Sequence, residues 1–149
     1  MATSTNPPTH TTILDILEHS AYNPGIVPQL ESYVDAQLNQ IIEGNPNLSN
    51  DYCYSFDANR TLLKLYQFFP HLANDHIISK IFFLALLEFP STDFTALACL
   101  VSEKIQSREP CATLMRYDLI FVFDPMFLFH CYIICIHFVI FCLDSLLIF

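Results

Sequence analysis

Glycine and basic residues are the two things this chain has least of. Gly25 and Gly44 are its only glycines in 149 residues. The phosphate-cradling glycine loops of nucleotide enzymes and the tight turns of a strand-rich domain are therefore both poorly supplied. Six Lys and Arg stand against fifteen Asp and Glu, for a formal net charge of -9. That balance argues against a basic face that binds a phosphate backbone, so any contact with RNA is local or made through a partner. An apolar N-terminal signal is missing too, because Met1 to His10 is rich in Thr, Ser and Pro. The six cysteines accordingly read as reduced cytosolic thiols rather than a disulfide framework.

The length suits one domain, but the composition changes sharply after Arg116. All six basic residues lie at or before that position, and Tyr117 to Phe149 contains no Lys, Arg, Glu or Gly. Three stretches follow from this: a leader over 1–12, a helical body over 13–116 and an apolar tail over 117–149. The leader is polar and Pro-rich and has little to bury, so disorder is expected there.

The body reads as helix throughout. Ile13, Leu14, Ile16 and Leu17 form the apolar side of a short helix ended by Tyr22-Asn23-Pro24. Asn23 is placed to cap the next helix, with Pro24 in its first turn. Val27, Leu30, Val34, Leu38 and Ile41 then make one stripe, with Glu31, Asp35 and Gln37 expected in water. Gly44 to Asp51 is dense in turn formers and reads as a surface loop. Asp57, Asn74 and Ser91 are candidate caps of three further helices, spaced about 17 residues apart, and Pro70 and Pro90 stop the first two. The apolar sets of those helices include Leu62, Leu65 and Tyr66, then Ile77, Ile81 and Phe82, then Phe94, Leu97, Leu100, Val101 and Ile105. Such faces are too wide for one neighbour. Paired antiparallel helices at this rhythm predict an all-α, HEAT/ARM-like helical repeat, with a plain bundle as the alternative.

Several of these words occur together elsewhere. Tyr22-Asn23-Pro24, Leu30-Glu31-Ser32-Tyr33-Val34, Phe56-Asp57-Ala58-Asn59, the run Leu62-Leu63-Lys64-Leu65-Tyr66-Gln67-Phe68-Phe69-Pro70 and Phe89-Pro90-Ser91-Thr92-Asp93-Phe94 keep a set order and spacing. In that order and spacing the body, residues 13–116, resembles subunit k of eukaryotic translation initiation factor three. The resemblance implies a HEAT-like domain followed by a winged-helix domain. It also implies a cytoplasmic, non-catalytic place at the edge of the factor beside subunit l, touching the small ribosomal subunit only indirectly. Two departures stand out. The loop over 40–52 looks longer than the family's, which surface loops absorb at small cost. Nothing in 117–149 resembles the winged helix, so that domain is expected to be absent here.

The tail admits three readings. Met126 to Leu143 is eighteen residues free of Asp, Glu, Lys and Arg, which as a helix just spans a hydrocarbon layer of roughly 30 Å. This gives the alternative function, a C-terminally membrane-anchored helical adaptor, although His130 and His137 are unwelcome at that depth. A buried core helix is disfavoured because the segment is apolar on every side. The preferred reading is a retained intron or a gene-model error, since its dominant residues all have thymine-rich codons. Arg116-Tyr117-Asp118 can moreover be encoded by AGGTATGAT, which contains a splice-donor-like sequence.

Candidate chemistry is thin. His130, Cys131, Cys135, His137 and Cys142 are zinc-ligating types without a known ligand spacing. His71 and His76 flank Asp75 at a helix start and read as solvated surface residues rather than an acid–base pair. Cys99 and Cys111 lack a spaced histidine, and Cys99 is expected in the core. Tyr66, Phe68 and Phe69 suit helix packing better than base stacking, with only Arg60 and Lys64 nearby. No catalytic, cofactor-binding or metal-ligating residue is therefore expected.

Overall fold

A computed structural model describes residues 7–43 and 53–123 of the chain, and the described residues are all-α, with no strand among them. Helix α1 (His10–Ser20) starts behind Thr9, whose hydroxyl faces the Thr12 N–H at 3.5 Å. Thr9 caps the helix three residues ahead of the expected start, so 10–12 are helical rather than part of a disordered leader. Asn23 caps as its sequence context predicts: its Oδ1 accepts from the Gly25 N–H at 2.9 Å. It opens a 3-10 turn, Pro24–Ile26, that runs directly into α2 (Val27–Glu43).

Helix α3 (Phe56–Phe68) is capped by Ser55, two residues before the expected Asp57, which sits in the first turn where its charge suits the helix dipole. Pro70 closes this helix by opening a second 3-10 turn, Pro70–Leu72. Asn74 caps α4 (Asp75–Leu87) as expected, accepting from the His76 N–H at 3.1 Å.

The third predicted helix is broken in two, α5 (Asp93–Ala98) and α6 (Glu103–Gln106). Ser102 takes an extended backbone conformation between them, and Gln106 folds back so that its Nε2 donates to the Ala98 and Val101 carbonyls at 2.8 and 2.7 Å. A side chain thus satisfies carbonyls that a continuing helix would have used. Thr92 rather than Ser91 holds the cap position of α5, although the Ser91 hydroxyl still accepts from the Asp93 N–H. Helix α7 follows (Cys111–Phe123). The chain divides into two compact units at Leu114 and Met115; the described part of the second is the continuation of α7 to Phe123.

Packing within the first unit is a ladder. α1 packs on α3 and α3 on α5, α2 packs on α4, and the consecutive pairs α2–α3, α3–α4 and α4–α5 tie the two rows together. Ile13, Leu30, Tyr33, Val34, Leu62, Leu65, Ile81, Phe82 and Leu97 are buried between them, each contributing about 1.5–3 kcal/mol through area removed from water. The Phe82 and Phe94 rings meet at 5.3 Å and join α4 to α5.

Polar side chains cross the ladder as well, and here one expectation fails. Gln37 is only 1% exposed rather than solvated. Its Oε1 accepts from the Ser55 N–H at 3.1 Å and its Nε2 donates to Asn59 Oδ1 at 3.3 Å, tying the start of α3 to the middle of α2. Asp35 pairs with Lys80 at 2.8 Å, joining α2 to α4. The loop expected over 44–51 lies outside the described residues.

Candidate interaction surface

None of the chemistry-bearing groups singled out from the sequence converges on a reaction centre among the described residues. The Asp75 carboxylate is held by Arg108 at 2.7 Å rather than by a histidine. His76 is exposed, and His71, also exposed, stands edge-on to the Phe69 ring. Cys111 is buried, with its sulfur 3.3 Å from the Ser79 hydroxyl, and burial pushes its thiol pKa up, the setting of a structural rather than a reactive thiol. Cys99 is exposed, contrary to its expected place in the core, because it continues the helical geometry of α5 on the face of the exposed Thr95 and Ala96, four and three residues earlier. Among the described residues no three metal-ligating groups cluster. The tail residues His130, Cys131, Cys135, His137 and Cys142 lie outside them.

Three phenols, Tyr33 and Tyr66 buried and Tyr54 half-buried, serve as struts. Tyr66 donates to Glu31 across α3 and α2, and burial, then the Glu31 carboxylate, raises its pKa well above the ordinary phenol value. Tyr33 donates to the Cys53 carbonyl at 2.8 Å. Its one proton being committed there, His10 Nδ1, 2.8 Å away, must be the donor of the second bond. Tyr54 donates to Asp93 at 3.1 Å. Burial is the largest cause of the raised pKa at both Tyr33 and Tyr54, followed by Cys53 for the first and Asp93 for the second. Of the aromatic group considered for stacking, Tyr66 is therefore used in packing and Phe69 is half-buried, but Phe68 is 59% exposed.

A concave feature lies between α1 and α3, with a volume of about 340 Å³. Leu14, Leu17, Glu18 and Ala21 line it from α1, at the three- and four-residue steps of one helix face. Asp57, Arg60, Thr61 and Lys64 line it from α3 at the same steps. Tyr22 stands at its end and leans toward Phe68, ring centroids 6.4 Å apart. Leu14 is 47% exposed and Tyr22 71%, so with Phe68 three of the five large exposed apolar side chains among the described residues gather at this edge. Arg60 is neutralised by Asp57 at 2.8 Å and lies over the Phe56 ring. Lys64 is half-buried and has no carboxylate partner among the described residues. Periodicity alone does not reveal this groove, because it is made by two helices that are far apart in the chain.

Comparison with known proteins bears out the resemblance read from the sequence. The chain is 37% identical over 97 residues to eukaryotic translation initiation factor 3 subunit K of Dictyostelium discoideum, covering 65% of this chain and 35% of that protein. It is 37% identical over 99 residues to the subunit K of Bombyx mori, covering 66% and 40%. Against the subunit K of Homo sapiens it is 33% identical over 89 residues, covering 60% and 36%. The chain thus spans between about a third and two fifths of the length of these curated relatives. No family model matches it.

Proposed function

We propose that the helical body works as a non-catalytic scaffold piece of eukaryotic translation initiation factor 3, presenting helix faces to neighbouring subunits in the cytoplasm. The observation that carries this reading is 33–37% identity to subunit K proteins over about three fifths or more of the chain. Subunit l is the partner this reading favours, with the small ribosomal subunit reached indirectly. The ladder of α1 on α3 on α5 and α2 on α4 supports a HEAT-like repeat, where each unit buries its faces against the units beside it.

The competing reading is a membrane-anchored adaptor using Met126 to Leu143 as its anchor. That segment lies outside the described residues, among which no helix is long and apolar enough to cross a membrane. The tail over 117–149 is better read as retained intron or gene-model error, and transcripts spanning the codon for Arg116 test this. Most messages should splice there; continuous coding sequence in most of them overturns it.

The functional test is affinity purification of the full chain from cells. Subunit l and other subunits of the factor should co-purify, and the chain should sediment with the small ribosomal subunit. Co-purification of none of them, or retention in membranes through carbonate extraction, defeats the scaffold reading.

A further inference from the structure

We propose that the groove between α1 and α3 is the seat of an amphipathic helix from a partner protein, whose carboxylate side chain meets Lys64. The proposal rests on the scaffold reading in treating the partner as another protein, and otherwise on the groove itself.

Its walls have the form a third helix requires. Leu14, Leu17 and Ala21 on one side and Asp57, Thr61 and Lys64 on the other repeat at three- and four-residue steps over about two turns. That is roughly 10 Å of helix at 1.5 Å per residue. Two such ridges form a trough into which apolar residues at i, i+3 or i+4 and i+7 of an incoming helix fit. Tyr22 and Phe68 stand together at one end with most of their rings in water, the kind of aromatic anchor that dominates binding once desolvated.

Charge selects the occupant further. Among the described Lys and Arg residues, Arg60, Lys80 and Arg108 each hold a carboxylate, and Lys104 and Arg116 are exposed. Lys64 alone is both half-buried and unpaired; Arg60, one turn earlier, is already held by Asp57, and Glu18 on the facing helix is exposed. A covering apolar helix without an acid would desolvate that ammonium at a cost; one with Asp or Glu at this point answers it. A lipid surface is a poor occupant because Glu18 and Asp57 would lose their water to hydrocarbon. A second copy is disfavoured by the net charge of -9 carried by each chain.

The test is a photo-crosslinking p-benzoylphenylalanine in place of Leu14 in the full chain, irradiated in cells, with the crosslinked peptide sequenced by mass spectrometry. Thr95, exposed on α5, carries the same group as the control. The expected product is one peptide of another protein, with apolar residues at i, i+3 or i+4 and i+7 and an Asp or Glu among them. Lys64→Glu should cut its yield at least tenfold while Lys64→Arg keeps it, with helix content unchanged by circular dichroism. Should Lys64→Glu lose helix, Lys64→Ala takes its place. Crosslinks to a second copy, to lipid, to a peptide without a carboxylate, or no more than from Thr95 overturn the proposal, as does full yield from a folded Lys64→Glu chain. A crosslink to a suitable helix outside the initiation factor leaves this inference standing and removes the scaffold reading. Co-purification with the factor without the crosslink does the reverse.

Discussion

At single side chains the most consequential contacts are polar ones that amphipathic patterning puts in the wrong place. Gln37 is a polar residue beside the apolar stripe of α2, and its residue type gives no sign that it is buried with Ala36 and Leu38. Its value comes from the Ser55 N–H, which reaches it from eighteen residues along the chain. Replacing Gln37 with Leu should leave that buried donor unpaired and cost about 1–3 kcal/mol, measured by urea unfolding. The phenols give a pH prediction. Free tyrosine titrates near 10, and Tyr33, Tyr54 and Tyr66 are all held higher in the folded chain. Above about pH 10 the unfolded chain therefore releases protons that the folded one keeps, so stability is intact below that pH and falls as the pH rises. Phenolate absorbance from these three should appear in step with loss of helical signal, and Tyr66→Phe should make the decline shallower. A full phenolate rise before any loss of helix contradicts this.

Among the helices, starts and stops decide what is exposed. Ser55 rather than Asp57 caps α3, its hydroxyl accepting from the Ala58 N–H. Ser55→Ala should cost about 1 kcal/mol and Asp57→Ala only a few tenths, separable by thermal unfolding of the two variants. Equal loss in both would put the cap where the spacing of the sequence alone suggested. The break between α5 and α6 has the same origin in side-chain competition with the backbone. Gln106→Ala frees the Ala98 and Val101 carbonyls and should lower stability by about 1 kcal/mol, with faster amide exchange around 98–106.

Across the first unit, stability rests on how the rows of the ladder meet. Phe82 is buried where α4 meets Phe94 of α5, so Phe82→Ala should cost about 3–5 kcal/mol, a large share of a typical domain's 5–15 kcal/mol. Phe68→Ala, at an exposed site, should stay within about 0.5 kcal/mol in the isolated chain, by the same unfolding measurement. The all-α class, the course of α2, α3 and α4, the Asn23 and Asn74 caps and the helix-ending prolines were legible locally, because period, cap chemistry and proline geometry act within a few residues. The likeness to initiation factor subunits was legible for a related reason, since its words combine packing residues such as Tyr33, Leu62 and Leu65 with cap and stop residues such as Asn23 and Pro70. Tertiary structure alone decided that Gln37 and Tyr33 are buried, that the chain breaks between α5 and α6 where Gln106 folds back, and that Leu14 and Lys64 face one groove. Each of those depends on a partner many residues away, and solvent exclusion and paired charge exist only once the helices have met.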